Sequence, residues 1–181
     1  MKTIESNRLI LRGWRMDDYL DFYEFISDEK VARCAGHFPE KDIERSKDNI
    51  KLYISSNQSY AIVLKSENKV IGSIGMDDIA PDKEFKDLKQ RYIGYTINSK
   101  YWGNGYAPEA AKLFIGYLFK EMDLDLIWSS HYDFNLQSKR VIEKCGLHYR
   151  FSYDVKVRAF ENRNVKEMFY NLYKNEYSES L

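Results

Sequence analysis

The stretch NSKYWGNGYAPEAAKLF, residues 98–114, sets two glycines one residue apart directly before a helix-forming run. The chain has nine glycines in all, so a pair here predicts a backbone that needs their conformational freedom. Pro108 suits the first turn of a helix, where its missing N–H has no intrahelical partner to lose. First-turn N–H groups are unpaired and lie at the positive end of the helix dipole, which favours an anion. The stretch therefore predicts a pyrophosphate site at Gly103 and Gly105, with a plain tight turn as the alternative.

Two common phosphate-binding motifs do not match this loop. The Walker pattern needs Lys-Ser or Lys-Thr after its last glycine, but Tyr106, Ala107 and Pro108 follow here. The dinucleotide-binding fingerprint needs a third glycine at position 108, which is proline. Binding of a nucleoside triphosphate is therefore a weak alternative.

The pattern along the chain predicts one mixed α/β domain over residues 1–181. Hydrophobic periodicity separates strands from helices, and we expect a central twisted sheet of about six to seven strands flanked by about four helices. Strands are predicted at 8–14, 60–65, 69–79, 91–97 and 124–132, and helices at about 17–26, 43–54, 108–118 and 135–145. Asp17 is the expected N-cap of the first helix, and the tail from 148 to 177 fits two strands or a helix.

Composition excludes several classes of protein. The chain carries 28 basic and 28 acidic residues, a balance that argues against binding nucleic acid through counterion release. Cys34 and Cys145 stand far apart without metal-ligand spacing and are expected to be free thiols in a reducing compartment. No apolar run approaches membrane-spanning length, so we expect a cytoplasmic protein without a membrane partner. We expect the protein to be a monomer or a homodimer.

A second motif lies in HYDFNLQSKRVIEKCGL, residues 131–147. Asn135 and Ser138 stand three apart at the start of a predicted helix that Gly146 closes. Taken alone, an asparagine N-cap and an ordinary first-turn serine explain the pair. Together with the glycine loop, this motif resembles the GNAT superfamily of acyl-CoA-dependent N-acyltransferases, with WGNGYA at the family's loop and Leu147 in place of its usual phenylalanine.

Two further segments resemble the Rim-type branch of that superfamily, which includes N-terminal acetyltransferases of ribosomal proteins. They are ESNRLILRGWRMDDYLDFYEFISDEKVAR near the N-terminus and IGYTINSKYWGNGYAPEA around the loop. The resemblance implies a GNAT-like domain that uses acetyl-CoA and no metal. It also implies direct transfer of the acetyl group, in a ternary complex, to a primary amine of a protein N-terminus or a small molecule.

The resemblance assigns most of the cofactor contacts to the backbone. It implies that pantetheine lies along the strand end at Ile97, Asn98 and Ser99, that the strand splays from its neighbour there, and that an N–H near Ile97 stabilises the thioester oxygen. It implies CoA contact by Asn135 and protonation of the departing thiolate by Ser138, because Ile142 stands where many members have tyrosine. The pyrophosphate would be bound by the backbone of Trp102, Gly103, Asn104, Gly105, Tyr106 and Ala107.

The group that deprotonates the amine is left open by the sequence. Asp77, Asp78 and Glu109 are the candidates, and Glu109 also fits a first-turn acid that favours the helix dipole. Loss of the proton to bulk water, with no dedicated base, is the alternative. Tyr92 occupies the place where many Rim-type sequences have glutamate. His131 is expected to be structural and Cys145 to serve packing. A second reading of the chain is a non-catalytic acyl-CoA-binding regulatory module.

Overall fold

Eight strands of the described residues, 1–178 of this computed structural model, join in one mixed sheet. The strands are β1 (Ile4–Glu5), β2 (Leu9–Gly13), β3 (Ser59–Leu64), β4 (Lys69–Asp77), β5 (Gln90–Ile97), β6 (Leu126–Tyr132), β7 (His148–Val157) and β8 (Arg163–Tyr173). Their spatial order is β1-β2-β3-β4-β5-β6-β8-β7. The tail therefore forms two strands, as the first of the two sequence-based alternatives predicts.

Five α-helices surround the sheet within residues 1–178. They are α1 (Tyr19–Ile26), α2 (Glu29–Ala35), α3 (Ile43–Ser56), α4 (Tyr106–Glu121) and α5 (Leu136–Lys144). The mixed α/β class is confirmed, with eight strands where about six to seven were expected and five helices where about four were expected. The additions are the two-residue edge strand β1, too short to give a pattern, and the seven-residue helix α2.

Local chemistry explains why α2 forms despite its length. The Asp28 side chain accepts a hydrogen bond from the Lys30 N–H and caps the first turn. Gly36 ends the helix in the left-handed region at φ +71°. A side chain at Gly36 would lie 2.5 Å from the ring of Tyr132, so the close contact also requires glycine.

The prediction that Asp17 caps the first helix is wrong. A short 3-10 turn, Met16–Asp18, precedes α1. The Asp18 carboxylate is committed elsewhere, since it accepts two hydrogen bonds from Arg12 at 2.8 Å each and one from the Arg15 N–H at 2.7 Å. This buried ion pair fixes the chain between β2 and α1.

Both faces of the sheet are covered. Alternation along β3 sends Ile62 to one face and Ala61 and Val63 to the other, and all three are buried. We call the side that carries α1 and α3 the α3 face; its core includes Trp14, Phe22, Phe25, Ile50 and Val70. The opposite side, the α4 face, carries α4 and α5; its core includes Leu9, Leu11, Ile93, Phe114, Leu118, Ile127 and Ile142.

The sheet opens between β5 and β6. These are its parallel neighbours, and they pair over three positions that end at Tyr92 and Trp128. Beyond that pair, β5 continues to Ile97 and β6 to Tyr132 without facing each other. We call this opening the splay. It confirms the predicted separation of the strand that leads into the glycine loop.

Candidate active site

The loop between β5 and α4 presents bare backbone. Gly103 and Gly105 have φ values of +82° and +78°, a region that residues with a Cβ rarely adopt. A Cβ at Gly103 would meet nothing within 4 Å, and one at Gly105 would meet only the Arg8 guanidinium, at 3.6 Å. Among residues 1–178, only the end of the Arg8 side chain therefore approaches the space in front of the two glycines, and a ligand can approach the backbone closely.

The amide groups of this loop are available as donors. The Trp102 N–H is engaged by the Ser99 carbonyl at 3.2 Å, so it does not belong to the free set. None of the five following amides, from Gly103 to Ala107, donates to an acceptor among residues 1–178. They lie at the N-terminus of the sixteen-residue helix α4, where the dipole adds positive potential. This arrangement fits the diphosphate that the sequence predicts.

Arg8 supports the loop and was missed by the sequence reasoning. Its guanidinium donates to the Asn104 carbonyl at 3.0 Å and lies 4.6 Å from the centre of the Tyr106 ring. It also forms an ion pair with Glu109, which accepts a further hydrogen bond from Ser6 at 2.6 Å. Burial opposes ionisation of Glu109, but these hydrogen bonds outweigh it and hold its pKa below the ordinary value. Glu109 is therefore a paired anion that braces the loop.

Backbone N–H and carbonyl groups of successive β5 residues point alternately toward β4 and toward β6. Near the end of β5, those that point toward β6 face the splay. The Asn98 N–H donates to the Ile71 carbonyl at 2.8 Å, and its carbonyl accepts from Tyr101, so Asn98 has no unpaired backbone group. The peptide groups of Tyr95 and Ile97 face the other way. The Ile97 carbonyl accepts from the Trp102 indole at 2.7 Å, which leaves the N–H groups of Tyr95 and Ile97 pointing into the splay.

A cavity of about 550 Å³ passes through the splay and joins the two faces of the sheet. Side chains of α2 border it on the α3 face, and side chains of α5 border it on the α4 face. Its lining includes Val31, Cys34, Ala35, Tyr92, Tyr95, Ile97, Trp102, Gly103, Gly105, Tyr106, Ala107, Ser130, Tyr132, Asn135, Ser138, Arg140, Lys144 and Glu167. Most of the predicted cofactor-binding residues are thus brought together in one continuous space.

Asn135 connects the helices α5 and α2 at the edge of this cavity. Its side-chain oxygen accepts from the Ser138 N–H at 3.1 Å and caps α5. Its side-chain nitrogen donates to the Cys34 carbonyl at 3.1 Å, near the end of α2. At the other end of α2, Asp28 accepts a hydrogen bond from the Ser99 hydroxyl. Helix α2 is therefore tied at both ends to the segments that border the cavity.

Ser138 faces Tyr95 across the α4 face. The two hydroxyl oxygens are 2.8 Å apart, and the phenol also lies 3.2 Å from the Ser138 carbonyl oxygen. Burial raises the pKa of Tyr95 well above that of an exposed phenol. The pair is therefore neutral and protonated at physiological pH, and it can donate a hydrogen bond into the cavity.

The predicted bases Asp77 and Asp78 do not line the cavity. Asp78 forms an exposed ion pair with Arg91 at 2.7 Å. Asp77 is exposed on β4 as the backbone partner of Tyr92. The carboxylate that does line the cavity is Glu167 on β8, for which the sequence held no motif.

Two other groups of interest in the sequence are engaged in packing or hydrogen bonds. Cys145 is buried, which raises the pKa of its thiol to about 12, so the thiolate is scarce at neutral pH. His131 is buried with its ring nitrogens 2.8 Å from the Tyr132 carbonyl and 3.3 Å from the Tyr170 hydroxyl.

Within residues 1–178 no three His, Cys, Asp or Glu side chains cluster as a metal site would require, and no helix is long and apolar enough to cross a bilayer.

Comparison with known proteins points to one family. Residues 8–148 match the family model described as an acetyltransferase (GNAT) domain. The uncharacterized N-acetyltransferase YnaD of Bacillus subtilis is 29% identical over 151 residues, which are 80% of this chain and 81% of YnaD.

Solved structures show the same fold. The structure of an acetyltransferase (GNAT family) from Bacillus anthracis superposes with a TM-score of 0.85 at 25% identity, covering 96% of this chain and 99% of that one. The microcin C7 self-immunity acetyltransferase MccE, solved with acetyl-CoA and AMP, superposes with a TM-score of 0.76 at 16% identity over 93% of each chain. Since the family model spans most of the sequence, this chain belongs to the acetyltransferase (GNAT) domain family.

Proposed function

We propose that the chain transfers the acetyl group of acetyl-CoA to a primary amine by direct attack in a ternary complex. The observation that carries this proposal is the cavity through the splay, whose lining includes the loop glycines and Ser138 on the α4 face and side chains of α2 on the α3 face. Acetyl-CoA, when bound, supplies the acetyl group as an activated thioester. Because the cavity extends to both faces of the sheet, both substrates can be present at once, and no acetylated enzyme is needed.

The amides from Gly103 to Ala107 bind the pyrophosphate in this proposal. Five unpaired donors at a helix N-terminus match the charge and the oxygen-rich surface of a diphosphate. The absence of a Cβ at Gly103 and Gly105 allows the close approach. Arg8 holds the loop in this shape through the Asn104 carbonyl and adds positive charge nearby.

The edge of β5 that faces the splay binds the pantetheine arm and the thioester. We assign these contacts to the N–H groups of Tyr95 and Ile97, which point into the splay. Of the contacts predicted at Ile97, Asn98 and Ser99, Asn98 has both its backbone N–H and its carbonyl engaged within the fold. The N–H groups of Tyr95 and Ile97 can each donate to an oxygen that gains negative charge during attack. One such donor is typically worth roughly 3 kcal/mol of transition-state stabilisation.

Ser138, supported by Tyr95, protonates or stabilises the departing thiolate. The serine lies in the cavity wall on the α4 face, the same side as the loop amides that α4 presents. Its hydroxyl is held by the phenol of Tyr95 at 2.8 Å, and Asn135 fixes the backbone of the same turn. The assignment of Asp77 and Asp78 as the base stays a prediction, and neither residue lines the cavity.

The acceptor we propose first is the N-terminal amine of a protein or peptide. Its support is the sequence similarity of two segments to the Rim-type branch, and a small-molecule amine is the second candidate. The part of the cavity beside α2 on the α3 face is the part available to either acceptor, because the amide loop and α5 border the other end.

A binding experiment followed by a turnover experiment tests the proposal. Native mass spectrometry detects co-purified CoA, and calorimetry measures the Kd of acetyl-CoA with ATP as competitor. Thiol release is then measured with N-terminal peptides, polyamines and amino acids. We expect tight acetyl-CoA binding, no displacement by ATP, and release with at least one amine. Binding without release for every amine would favour the non-catalytic acyl-CoA-binding module, and no binding would overturn the proposal.

A further inference from the structure

Three side chains from three neighbouring strands form a hydrogen-bonded row in the cavity wall. The Tyr92 phenol on β5 lies 2.5 Å from the Ser130 hydroxyl on β6, which donates to the Glu167 carboxylate on β8 at 2.5 Å. A serine hydroxyl has one proton, and here it points to Glu167. Tyr92 must therefore be the donor to Ser130, and the row runs in one direction, from the phenol to the carboxylate.

The row lies on the α3 face, opposite the Ser138–Tyr95 pair. Side chains alternate along a strand, so Tyr92 points away from the side to which Tyr95 points. Tyr95 packs with the core of the α4 face, which places Tyr92 on the α3 face. Tyr92 is also the last β5 residue that pairs with β6, so the row starts where the splay opens.

The spacing leaves room for an acceptor between the two sets of groups. Tyr92 and Tyr95 are three residues apart on an extended strand, about 10 Å between their Cα atoms. The Tyr95 N–H points into the splay, where it can hold the thioester oxygen. An amine that enters beside α2 can thus contact the Tyr92 phenol oxygen while its nitrogen faces the thioester carbon.

Charge is distributed unevenly along this cavity. Arg140 and Lys144 border it on the side of α5, toward the predicted phosphate end. Among the described residues, Glu167 is the one acidic side chain that borders the cavity, and it lies on the α3 face. An ammonium group is therefore attracted to the end of the cavity that an anionic cofactor does not occupy.

We propose that Glu167 is the base of this enzyme and takes the proton of the acceptor ammonium through the hydroxyls of Tyr92 and Ser130. The inference rests on the proposed function. Tyr92 is then the group that touches the substrate, and Ser130 and Glu167 act through it. The acceptor class that follows is a primary amine bound as its cation.

Burial explains why Tyr92 needs a partner. Desolvation is the largest effect on the phenol and raises its pKa to about 12, against the hydrogen bond to Ser130 that lowers it. A phenol with so high a pKa holds its proton at neutral pH and cannot itself be the base. It can pass a proton along the row, because it donates to Ser130 while its oxygen accepts from the substrate.

The protons and bonds of the step balance. One ammonium proton moves to the Tyr92 oxygen as the phenol proton moves to Ser130 and the Ser130 proton moves to Glu167. The freed lone pair of the nitrogen forms the bond to the acetyl carbon, and the carbon–sulfur bond breaks. The nitrogen loses a second proton to solvent. The sulfur gains one proton from Ser138 on the α4 face, and Ser138 regains one from solvent. Glu167 later releases its proton to solvent, so the net products are the acetamide, CoA thiol and one proton.

Other titratable groups surround the row and enter the design of the test. Asp77 is the backbone partner of Tyr92 on β4. The charge of Glu167, followed by those of Tyr132 and Asp77, also raises the pKa of Tyr92. Tyr132 on β6 and Tyr153 on β7 are the backbone partners of Glu167. Asp77→Asn is therefore compared with Glu167→Gln as the rival base.

The test uses Glu167→Gln, Tyr92→Phe and their double variant in the full chain, with the fastest acceptor found for the wild type. We expect kcat/KM to fall about 100-fold in each single variant and little further in the double variant, because both changes interrupt one row. The Kd of acetyl-CoA should stay within about twofold, since the loop is untouched. Glu121→Gln, the same chemical change at an exposed ion pair with Lys2, serves as the control.

A substrate series separates proton transfer from a structural role. An alkoxyamine or aromatic amine is already unprotonated at neutral pH and needs no base before attack. We expect Glu167→Gln to retain near wild-type rates with such amines, and its defect with alkylamines to shrink as pH rises. A defect equal for both kinds of amine would show a structural role and overturn the proposal, as would a loss in Asp77→Asn with none in Glu167→Gln. Absence of turnover in the wild type would instead reject the proposed function, and the base with it.

Discussion

The phenol oxygen of Tyr95 lies 2.8 Å from the hydroxyl oxygen of Ser138. Tyr95 comes from the middle of β5 and Ser138 from the first turn of α5, so the contact spans the α4 face of the splay. Ile142 stands on α5 where the resemblance leads one to look for a tyrosine. A phenol from the strand therefore lies against the serine, while α5 itself has isoleucine at position 142.

Ser138→Ala should lower turnover about 100-fold and leave the Kd of acetyl-CoA unchanged, if the serine assists the leaving thiolate. The helix should survive, because Asn135 accepts from the Ser138 backbone N–H, which alanine retains. Steady-state thiol release and calorimetry measure the two effects. Tyr95→Phe should show a smaller loss in the same direction. Wild-type turnover in Ser138→Ala would leave the residue with a structural role in the first turn.

Gly105→Asp should weaken acetyl-CoA binding at least tenfold. The substitution forces a side chain into the left-handed backbone region and adds a negative charge in front of the loop amides. Gly105→Ala is the matched variant, because it carries the same backbone strain without the charge. We expect both variants to lose about 1 kcal/mol of stability in urea unfolding, while calorimetry shows the larger loss of affinity in the aspartate. Equal affinity in Gly105→Asp and the wild type would contradict the loop assignment.

Cys145→Ala should keep the acetyl transfer rate. The thiol is buried, its pKa is raised to about 12, and it contacts the Pro108 carbonyl instead of the cavity. Initial-rate measurements over both substrates should give intersecting lines, and mass spectrometry after incubation with acetyl-CoA alone should show no added acetyl group. Parallel lines or an acetylated chain would exclude direct attack.

Glu24 should make stability depend on acid pH. Hydrogen bonds from Lys100 and then Lys69 lower its pKa from 4.5 to about 2, against the opposing effect of burial. A pKa depressed in the folded state stabilises the fold above the unfolded value and loses that effect as pH falls through the folded value. Because Lys100 is mostly exposed, we expect a contribution of only about 1 kcal/mol.

Urea unfolding of the wild type and Glu24→Gln checks this expectation. The difference in unfolding free energy should be present at neutral pH and shrink as pH falls from about 4.5 toward 2. Glu121→Gln, which breaks an exposed pair with Lys2, should show a much smaller difference. A gap between wild type and Glu24→Gln that stays constant with pH would assign the effect to packing alone.

Features that depend on short segments could be predicted from the sequence. The positive φ angles of Gly103 and Gly105, the cap at Asn135 and the closing glycine Gly146 each follow from a few adjacent residues. The splay itself was expected only through the family resemblance, because the residues that separate β5 from β6 are far apart in the chain. Asp17 and Asp18 show the limit of local reasoning, since Arg12 decides which carboxylate is used.

The row from Tyr92 to Glu167 could not be predicted. Its members lie at positions 92, 130 and 167, and the register of β6 on β8 places Ser130 diagonally across from Glu167. A sequence shows alternation along each strand, but not which strand lies beside which. Glu167 in particular belongs to a tail whose structure the sequence left open between strands and a helix. The carboxylates that precede and follow the loop in sequence, Asp77, Asp78 and Glu109, are exposed or paired instead.

Two hydrogen bonds hold helix α2 in place. The Ser99 hydroxyl donates to the Asp28 carboxylate, and the Asn135 side chain donates to the Cys34 carbonyl. Shifting this helix outward would break bonds that also shape the ends of β5 and α5. With the acceptor beside α2, as we propose, exchanging the cavity-lining side chains Val31, Cys34 and Ala35 should change the preference for one amine over another without moving the backbone that carries them. Those three positions are where a redesign of acceptor choice should begin.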